Sequence, residues 1–274
     1  MPDLPSTAPA VTVITVVRNG AATIEASIES VLAQSHRPLE HVIVDGGSTD
    51  GTLEILRRYG ERVRWISEPD RGLYDAMNKG LDLVRDPARY VIFLNADDTF
   101  HTPDAVARAL ALSDREDFIY GMLERRDDAL DHRDVIGRAV TSRDLLYGMK
   151  CHHQAIFCPR RVFDLVGRFD LSYRFAADYD WVVRVFRRAD LSMRFVPVVV
   201  SSMGRGGLSD THYLRSARER WHIVRQHFPR RDLVLFTLYT PFGDYLRHYA
   251  QRVLRPLHLL NFARALKQSL KRVA

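Results

Sequence analysis

Cysteine is scarce: Cys151 and Cys158 are the only two in 274 residues. Two thiols are too few for a disulfide framework, which argues against a small stapled secreted domain. Long apolar runs are also missing. The longest stretch without Asp, Glu, Lys or Arg is Leu4 to Val17, and Pro5 and Pro9 interrupt it; a membrane-spanning helix needs about 20 mostly apolar residues. The N-terminus lacks a basic segment followed by an apolar one, so no secretory signal is expected. With 15 Gly and 12 Pro the chain is neither collagen-like nor of low complexity, and 46% hydrophobic residues exclude a wholly disordered chain. An excess of charge is absent from most of the sequence. The net charge is +6, yet seven Arg or Lys and no acid fall between Tyr245 and Ala274, leaving residues 1–244 close to neutral. Basic residues are not interleaved with aromatics, so a nucleic-acid partner is not expected.

What is present is a regular alternation. Val11–Val17 is a β-branched run of strand length that halts at Arg18-Asn19-Gly20. Ala22–Leu32 carries Ile24, Ile28, Val31 and Leu32 at helical spacing. The spacing predicts further strands at His41–Val44, Val63–Ile66 and Tyr90–Leu94, with helices around Leu53–Leu56 and over Leu73–Val84 between them. Buried apolar strands joined by helices imply a parallel sheet with right-handed crossovers. Ligands in such sheets bind at the carboxyl ends of the strands. The polar clusters Arg18-Asn19, Asp45–Ser48 and Asn95–Asp98 all follow strands directly, so they are expected to converge on one crevice.

The second half is less regular. Phe118–Met122, Ala155–Cys158 and Phe195–Val200 read as strands, Glu124–Asp134 as a charged connector, and Asp178–Ala189 and Ser209–Phe228 as helices. Gly206-Gly207-Leu208-Ser209 reads as a flexible loop. The organisation expected is a flexible leader over 1–10, one domain over 11–232 and a basic amphipathic appendage over 233–274.

Several residues could carry chemistry. Adjacent Asp97 and Asp98 at a strand end repel unless a cation or donors compensate, and hard oxygen ligands of this kind suit Mg²⁺ or Mn²⁺ held jointly with substrate phosphates. An Asx turn at the strand end explains the same residues without a metal. Asp45 to Thr52 opens a helix but has neither G-x-G-x-x-G spacing nor a P-loop lysine. Asp45 is placed to accept from a base or ribose, while Asp50 and Thr52 are equally explained as helix caps. Asp75, Asn78 and Lys79 share one helical face, which could meet a nucleotide or form a solvated ion pair. Cys151-His152-His153 with Cys158 matches no common zinc spacing. Tyr179 and Trp181 could stack on a sugar, although an apolar helix more often uses such rings as core.

Taken together, Val13–Gly20 (VITVVRNG), His41–Thr52 (HVIVDGGSTDGT), Ser67–Leu81 (SEPDRGLYDAMNKGL), Phe93–Asp98 (FLNADD) and Arg174–Val185 (RFAADYDWVVRV) resemble glycosyltransferase family 2. These are inverting nucleotide-sugar enzymes of the GT-A fold, a mostly parallel, Rossmann-like α/β sheet flanked by helices, and the likeness leans towards bacterial exopolysaccharide and O-antigen enzymes. The resemblance implies a nucleotide site built from Thr15, Val17, Arg18, Asn19, Asp45, Ser48, Asp70, Gly72, Asn78, Lys79 and Asp97. It implies a metal site at Asp98 and Asp97, where the family's Asp-x-Asp reads Asn95-Ala96-Asp97. Asp178 would be the catalytic base, with Ala177 in place of the family's Glu; His153, Gln154 and Asp180 would lie towards the acceptor. The partners implied are a nucleotide-sugar donor, with UDP the expected nucleotide, and a glycan or polyprenyl-linked acceptor. A catalytically inactive member that binds nucleotide sugars is the alternative.

The tail adds one expectation. Leu259, Phe262, Leu266, Leu270 and Val273 fall on one helical stripe, with Arg264, Lys267, Lys271 and Arg272 off it. Such a helix suits an anionic membrane surface, which would make the protein cytoplasmic and peripheral on the inner face of the cell membrane. Packing on the protein's own body or a dimer would use the same stripe.

Overall fold

The structure, a computed structural model, describes residues 9–127, 131–204 and 212–233. The chain divides into two compact units, Met1–Ile223 and Val224–Ala274. The stripe and basic tail lie outside the described residues.

The first four strands are β1 (Val11–Val17), β2 (Leu39–Asp45), β3 (Arg64–Ser67) and β4 (Tyr90–Phe93). They pair in parallel in the order β3-β2-β1-β4, with helices α1 (Ile24–Leu32), α2 (Thr52–Tyr59) and α3 (Leu73–Leu83) in the connections. All seven β1 residues are buried, as a central parallel strand covered on both faces requires. Ile24, Ile28, Ile43, Leu56 and Tyr59 form one hydrophobic cluster with Val17. On α3, a Cβ at Gly80 would come 2.5 Å from Ile14 Cγ2, so the glycine sets how closely that helix approaches the sheet. Only a residue without a side chain fits there.

Two short elements follow, β5 (Thr99–Phe100) and α4 (Ala105–Ala111). The remaining strands are β6 (Phe118–Asp127), β7 (His132–Ile136), β8 (Ile156–Pro159) and β9 (Met193–Gly204). They continue the sheet as β8-β6-β9-β5, with β7 on β6. β8 is antiparallel to both β4 and β6, and β6 runs parallel to β9, so this half is mixed. The stretch read as a charged connector is instead a β-hairpin: Glu124 pairs with Val135, Arg125 with Asp134 and Asp127 with His132. One cross-strand ion pair, Arg125 with Asp134, favours the ladder while Arg126 faces Arg133, and a hydrophobicity pattern shows neither strand.

Helices α5 (Arg160–Val166) and α6 (Ala177–Phe186) follow β8. Trp181 stacks on Phe163 with ring centroids 4.3 Å apart and donates its indole N–H to Gly167 O, while Tyr179 donates its hydroxyl to Leu145 O. Both rings are core, each about 2% exposed. Helix α7 spans Tyr213–His227. Its Glu219 accepts the backbone N–H groups of Arg174, Phe175 and Ala176, which lead into α6. Three otherwise orphaned donors at a helix start are thereby satisfied.

Candidate active site

The loops after β1 and β2 are stitched together at the strand ends. Asn19 N donates to Ser48 Oγ at 2.7 Å, and Thr49 N donates to Asn19 Oδ1 at 2.9 Å. Gly20 N donates to Thr52 Oγ1 and Ala21 N to Asp50 Oδ2. Asn19 takes a positive φ of 54°, a conformation an asparagine tolerates well. Asp50 also accepts Thr52 N and so caps α2, the structural one of its two readings.

Asp45 lies deeper than the sequence suggests. It is fully buried, and its carboxylate accepts Gly47 N, Ser48 N, Ser48 Oγ and Ser67 Oγ. Three of these donors meet Oδ2 and one meets Oδ1, so the carboxylate organises the loop. Thr15 is likewise buried and bonds His41 Nε2 at 2.9 Å. Val17 contributes its carbonyl to Gly46 N. Gly46 is buried, and a Cβ there would fall 2.0 Å from Asp70 Oδ2 and 3.4 Å from Arg18 Cβ, so the missing side chain lets Asp70 pack directly on the loop after β2. Asp70 also accepts Gly72 N at 2.8 Å. Two members of the expected set stand in local contacts. The Asn78 amide bonds both Phe169 O and Phe169 N, and Lys79 Nζ pairs with Glu68 at 2.7 Å and reaches Pro69 O.

A continuous line of contacts crosses from the parallel half to the mixed half. Asn95 Nδ2 donates to Asp98 Oδ2 at 3.1 Å, as does Gln154 Nε2, and Ser201 Oγ donates to the backbone carbonyl of Gln154. The same Asn95 nitrogen lies 3.3 Å from His153 Nε2. His153 Nδ1 lies 3.0 Å from Asp178 Oδ2, and Asp178 Oδ1 accepts the Tyr74 hydroxyl at 2.8 Å and Tyr179 N at 2.9 Å. Asp98, His153 and Asp178 therefore sit in one crevice although they are separated by up to 80 positions in sequence. Tyr74 is the neighbour of Asp178 that pattern reading missed. It lies one turn before Asn78 on the same helix face, where its ring packs 5.6 Å from that of Phe169, the residue whose backbone Asn78 bonds. Asp180, two residues after Asp178, faces away from it. It is buried and pairs with Arg184, whose guanidinium also holds the carbonyls of Val166, Gly167 and Arg168.

The electrostatics of the two key carboxylates diverge. Burial first, and then the neighbouring Asp97, push Asp98 up to about 7. Burial also pushes Asp178 up, but the hydrogen bond and charge of His153 together with the Tyr74 hydroxyl outweigh it, holding that carboxyl below its ordinary range. Tyr74 is raised well above the usual phenol range, by burial and by the Asp178 charge. Around Asp98 acceptors outnumber donors: Asn95 Oδ1 and Gln154 Oε1 are buried without a partner, and Asp97 lies exposed beside them. A divalent cation fits so oxygen-rich a corner. Among the described residues no three His, Cys, Asp or Glu side chains are grouped to hold a metal by themselves. Asp97 and Asp98 would therefore hold it jointly with phosphate oxygens. The two cysteines are buried, and burial raises the Cys151 thiol to about 12.

A parallel nucleotide-binding half with an acidic strand end, facing a mixed half that carries a second carboxylate, defines a nucleotide-sugar glycosyltransferase of the GT-A fold. Solved structures agree on the fold. Staphylococcus aureus TarS 1–349 in complex with UDP-GlcNAc superposes with a TM-score of 0.64 at 15% identity, covering 86% of this chain and 75% of that one. This chain spans 44% of a longer TarS chain. A mannosyltransferase from Pyrobaculum calidifontis, solved with GDP-Man and Mn²⁺, gives a TM-score of 0.64 at 20% identity over 97% of this chain and 81% of that one. The chain belongs to glycosyl transferase family 2, whose model matches residues 12–168. Among its relatives is the PGL/p-HBAD biosynthesis glycosyltransferase of Mycobacterium bovis, 37% identical over 212 residues, which are 74% of this chain and 80% of that protein. No helix among the described residues is long and apolar enough to cross a membrane.

Proposed function

We propose that this glycosyltransferase moves a sugar from a nucleoside-diphosphate donor, UDP the first to try, to an acceptor hydroxyl with inversion, in the synthesis of a bacterial surface glycan or glycolipid. The observation that carries this reading is the line of contacts from Asp98 through His153 to Asp178. It supports a reading in which Asp98 would help to hold a cation and Asp178 would belong to the proton-accepting end of the same line. Arg18 and Asn19 after β1, with Asp70 after β3, would receive the base and ribose. Mg²⁺ or Mn²⁺ on Asp97 and Asp98 would neutralise the charge that develops on the departing diphosphate. One-step inversion needs a base on the other face of the sugar, and the Asp178–His153 pair supplies it. The mycobacterial relative is named for PGL/p-HBAD biosynthesis, and the basic tail suits a lipid-linked acceptor at an anionic membrane surface.

The test is the anomeric configuration of the product, followed by NMR with a donor of known configuration. Asp178→Asn is expected to keep affinity for the nucleotide while transfer falls by two or more orders of magnitude. Retention of configuration, or a loss of nucleotide affinity equal to the loss of rate, would refute the assignment. Co-sedimentation with anionic liposomes, comparing the full chain with one ending at Gly243, tests the tail.

A further inference from the structure

We infer that the exposed face of α7 is a docking surface for an anionic lipid bilayer, separate from the tail. The inference rests on the lipid-linked acceptor reading above and deepens it by naming a folded surface that meets the membrane. On α7, Leu214, Arg215, Arg218 and His222 are exposed, while Ser216 and Ile223 are buried. At about 100° per residue the four exposed positions share roughly a third of the helix circumference, and the two buried ones lie across from them. Leu214 is 68% exposed, more than any other large apolar side chain described. Arg215 and Arg218 make no ion pair among the described residues. Glu219 is the one acid on the helix, and its carboxylate is turned to the backbone N–H groups of Arg174, Phe175 and Ala176. A protruding leucine beside uncompensated arginines suits a lipid interface: the leucine enters the acyl boundary and the guanidiniums meet lipid phosphates.

The helix is fastened to the acceptor end of the crevice. The Glu219 bonds, 2.8–3.0 Å long, hold α7 to the segment that ends two residues before Asp178. His212, next to the first residue of α7, packs its ring 5.1 Å from that of Phe175. Two more exposed apolar side chains belong to segments that join the same place. Leu171 lies in the loop that leads into α6, and Tyr147 closes the turn Asp144–Tyr147, whose Leu145 carbonyl accepts the Tyr179 hydroxyl. Half of the six exposed large apolar side chains described are therefore carried by segments bonded to the start of α6 or leading into it. A bilayer contact through α7 would bring the helix that carries Asp178 to the surface where a lipid-linked hydroxyl waits.

A second copy of this chain fits the face less well. A two-fold contact through it would set Arg215 and Arg218 against their own counterparts, with no acid on the face to compensate. Lipid phosphates supply the missing negative charge.

The test is partition of the full-length protein onto vesicles of phosphatidylcholine, with and without an equal part of phosphatidylglycerol. Wild type is expected to bind the mixed vesicles and not the neutral ones. Each basic residue at an anionic surface is worth about fivefold in partition, so Arg215→Glu with Arg218→Glu should weaken binding at least ~20-fold. Arg57→Glu with Arg58→Glu makes the same change in net charge on the exposed side of α2 and should cost less than about threefold, because salt screens distant charge. Thermal melts check that both double variants are folded. Leu214→Cys carrying an environment-sensitive fluorophore should shift to shorter wavelength on the mixed vesicles; Cys151 and Cys158 are buried and take no label. Partition of Arg215→Glu with Arg218→Glu within about threefold of wild type would overturn the inference and leave membrane binding to the tail. An equal loss in both double variants would overturn it as an effect of net charge. A wild-type dimer that this α7 variant dissociates, with vesicle binding unchanged, would assign the face to a second copy instead. Wild type that ignores the mixed vesicles would refute the inference together with the membrane reading on which it rests, while the anomeric configuration of the product tests the transfer reaction separately.

Discussion

Replacing Asp98 by Asn should make the metal-free protein more stable and catalytically dead. Asp98 is 2% exposed, and burial with the neighbouring Asp97 lifts its carboxyl from 3.8 to about 7. A folded-state value above the unfolded one means that ionisation opposes folding. The full stability is present below about pH 4, falls as pH rises towards 7, and is flat beyond. At 1.36 kcal/mol per pKa unit the penalty above pH 7 is on the order of 4 kcal/mol. The amide keeps an oxygen for Asn95 Nδ2 and Gln154 Nε2, so the substitution removes charge without orphaning those donors. Other groups tilt the pH profile the opposite way, since burial pushes the imidazoles of His41 and His152 down to about 3 and about 4. Denaturant melts of wild type and Asp98→Asn at pH 4.5 and pH 8, without divalent ions, isolate Asp98 in the difference between the two proteins. The variant should gain roughly 2–4 kcal/mol at pH 8 and about 1 kcal/mol or less at pH 4.5. Adding Mn²⁺ with a nucleoside diphosphate should stabilise the wild type and not the variant. Equal stability of the two proteins at pH 8 would refute the reasoning.

Three further outcomes follow from single contacts. Asp180→Ala removes the carboxylate partner of Arg184, whose guanidinium keeps its three carbonyl contacts, and should cost about 2–4 kcal/mol in denaturant melts, with kcat unchanged well below the melting temperature. Gly46→Ala places a methyl 2.0 Å from Asp70 Oδ2 and should weaken UDP or GDP binding at least tenfold by titration calorimetry, with a melting point little altered. Glu219→Gln exchanges a carboxylate for an amide beneath three backbone N–H groups and should lose about 1–2 kcal/mol, read by thermal melts.

The sequence by itself determined the parallel half and its chemistry at the strand ends. β1 is found over Val11–Val17 as the run of β-branched residues predicts, and the loops after β1 and β2 meet through Asn19 and Ser48. That much follows because a doubly covered strand needs continuous apolar residues and because strand-end polar clusters in a parallel sheet share one edge. Tertiary structure decided the rest. The hairpin of β6 and β7 is a backbone ladder between charged strands with one cross-strand ion pair, and a hydrophobicity pattern cannot distinguish such strands from a solvated loop. Which polar residues face the crevice was also hidden. Asp45 accepts two backbone N–H groups and two serine hydroxyls and Asn78 bonds the Phe169 backbone, whereas Tyr74, unremarkable in sequence, bonds Asp178. Hydrogen-bonding capacity is a property of the neighbours as much as of the residue. Asn95, His153 and Asp178 become one line of contacts only when β4, the turn before β8 and the start of α6 meet, and no local spacing records that meeting.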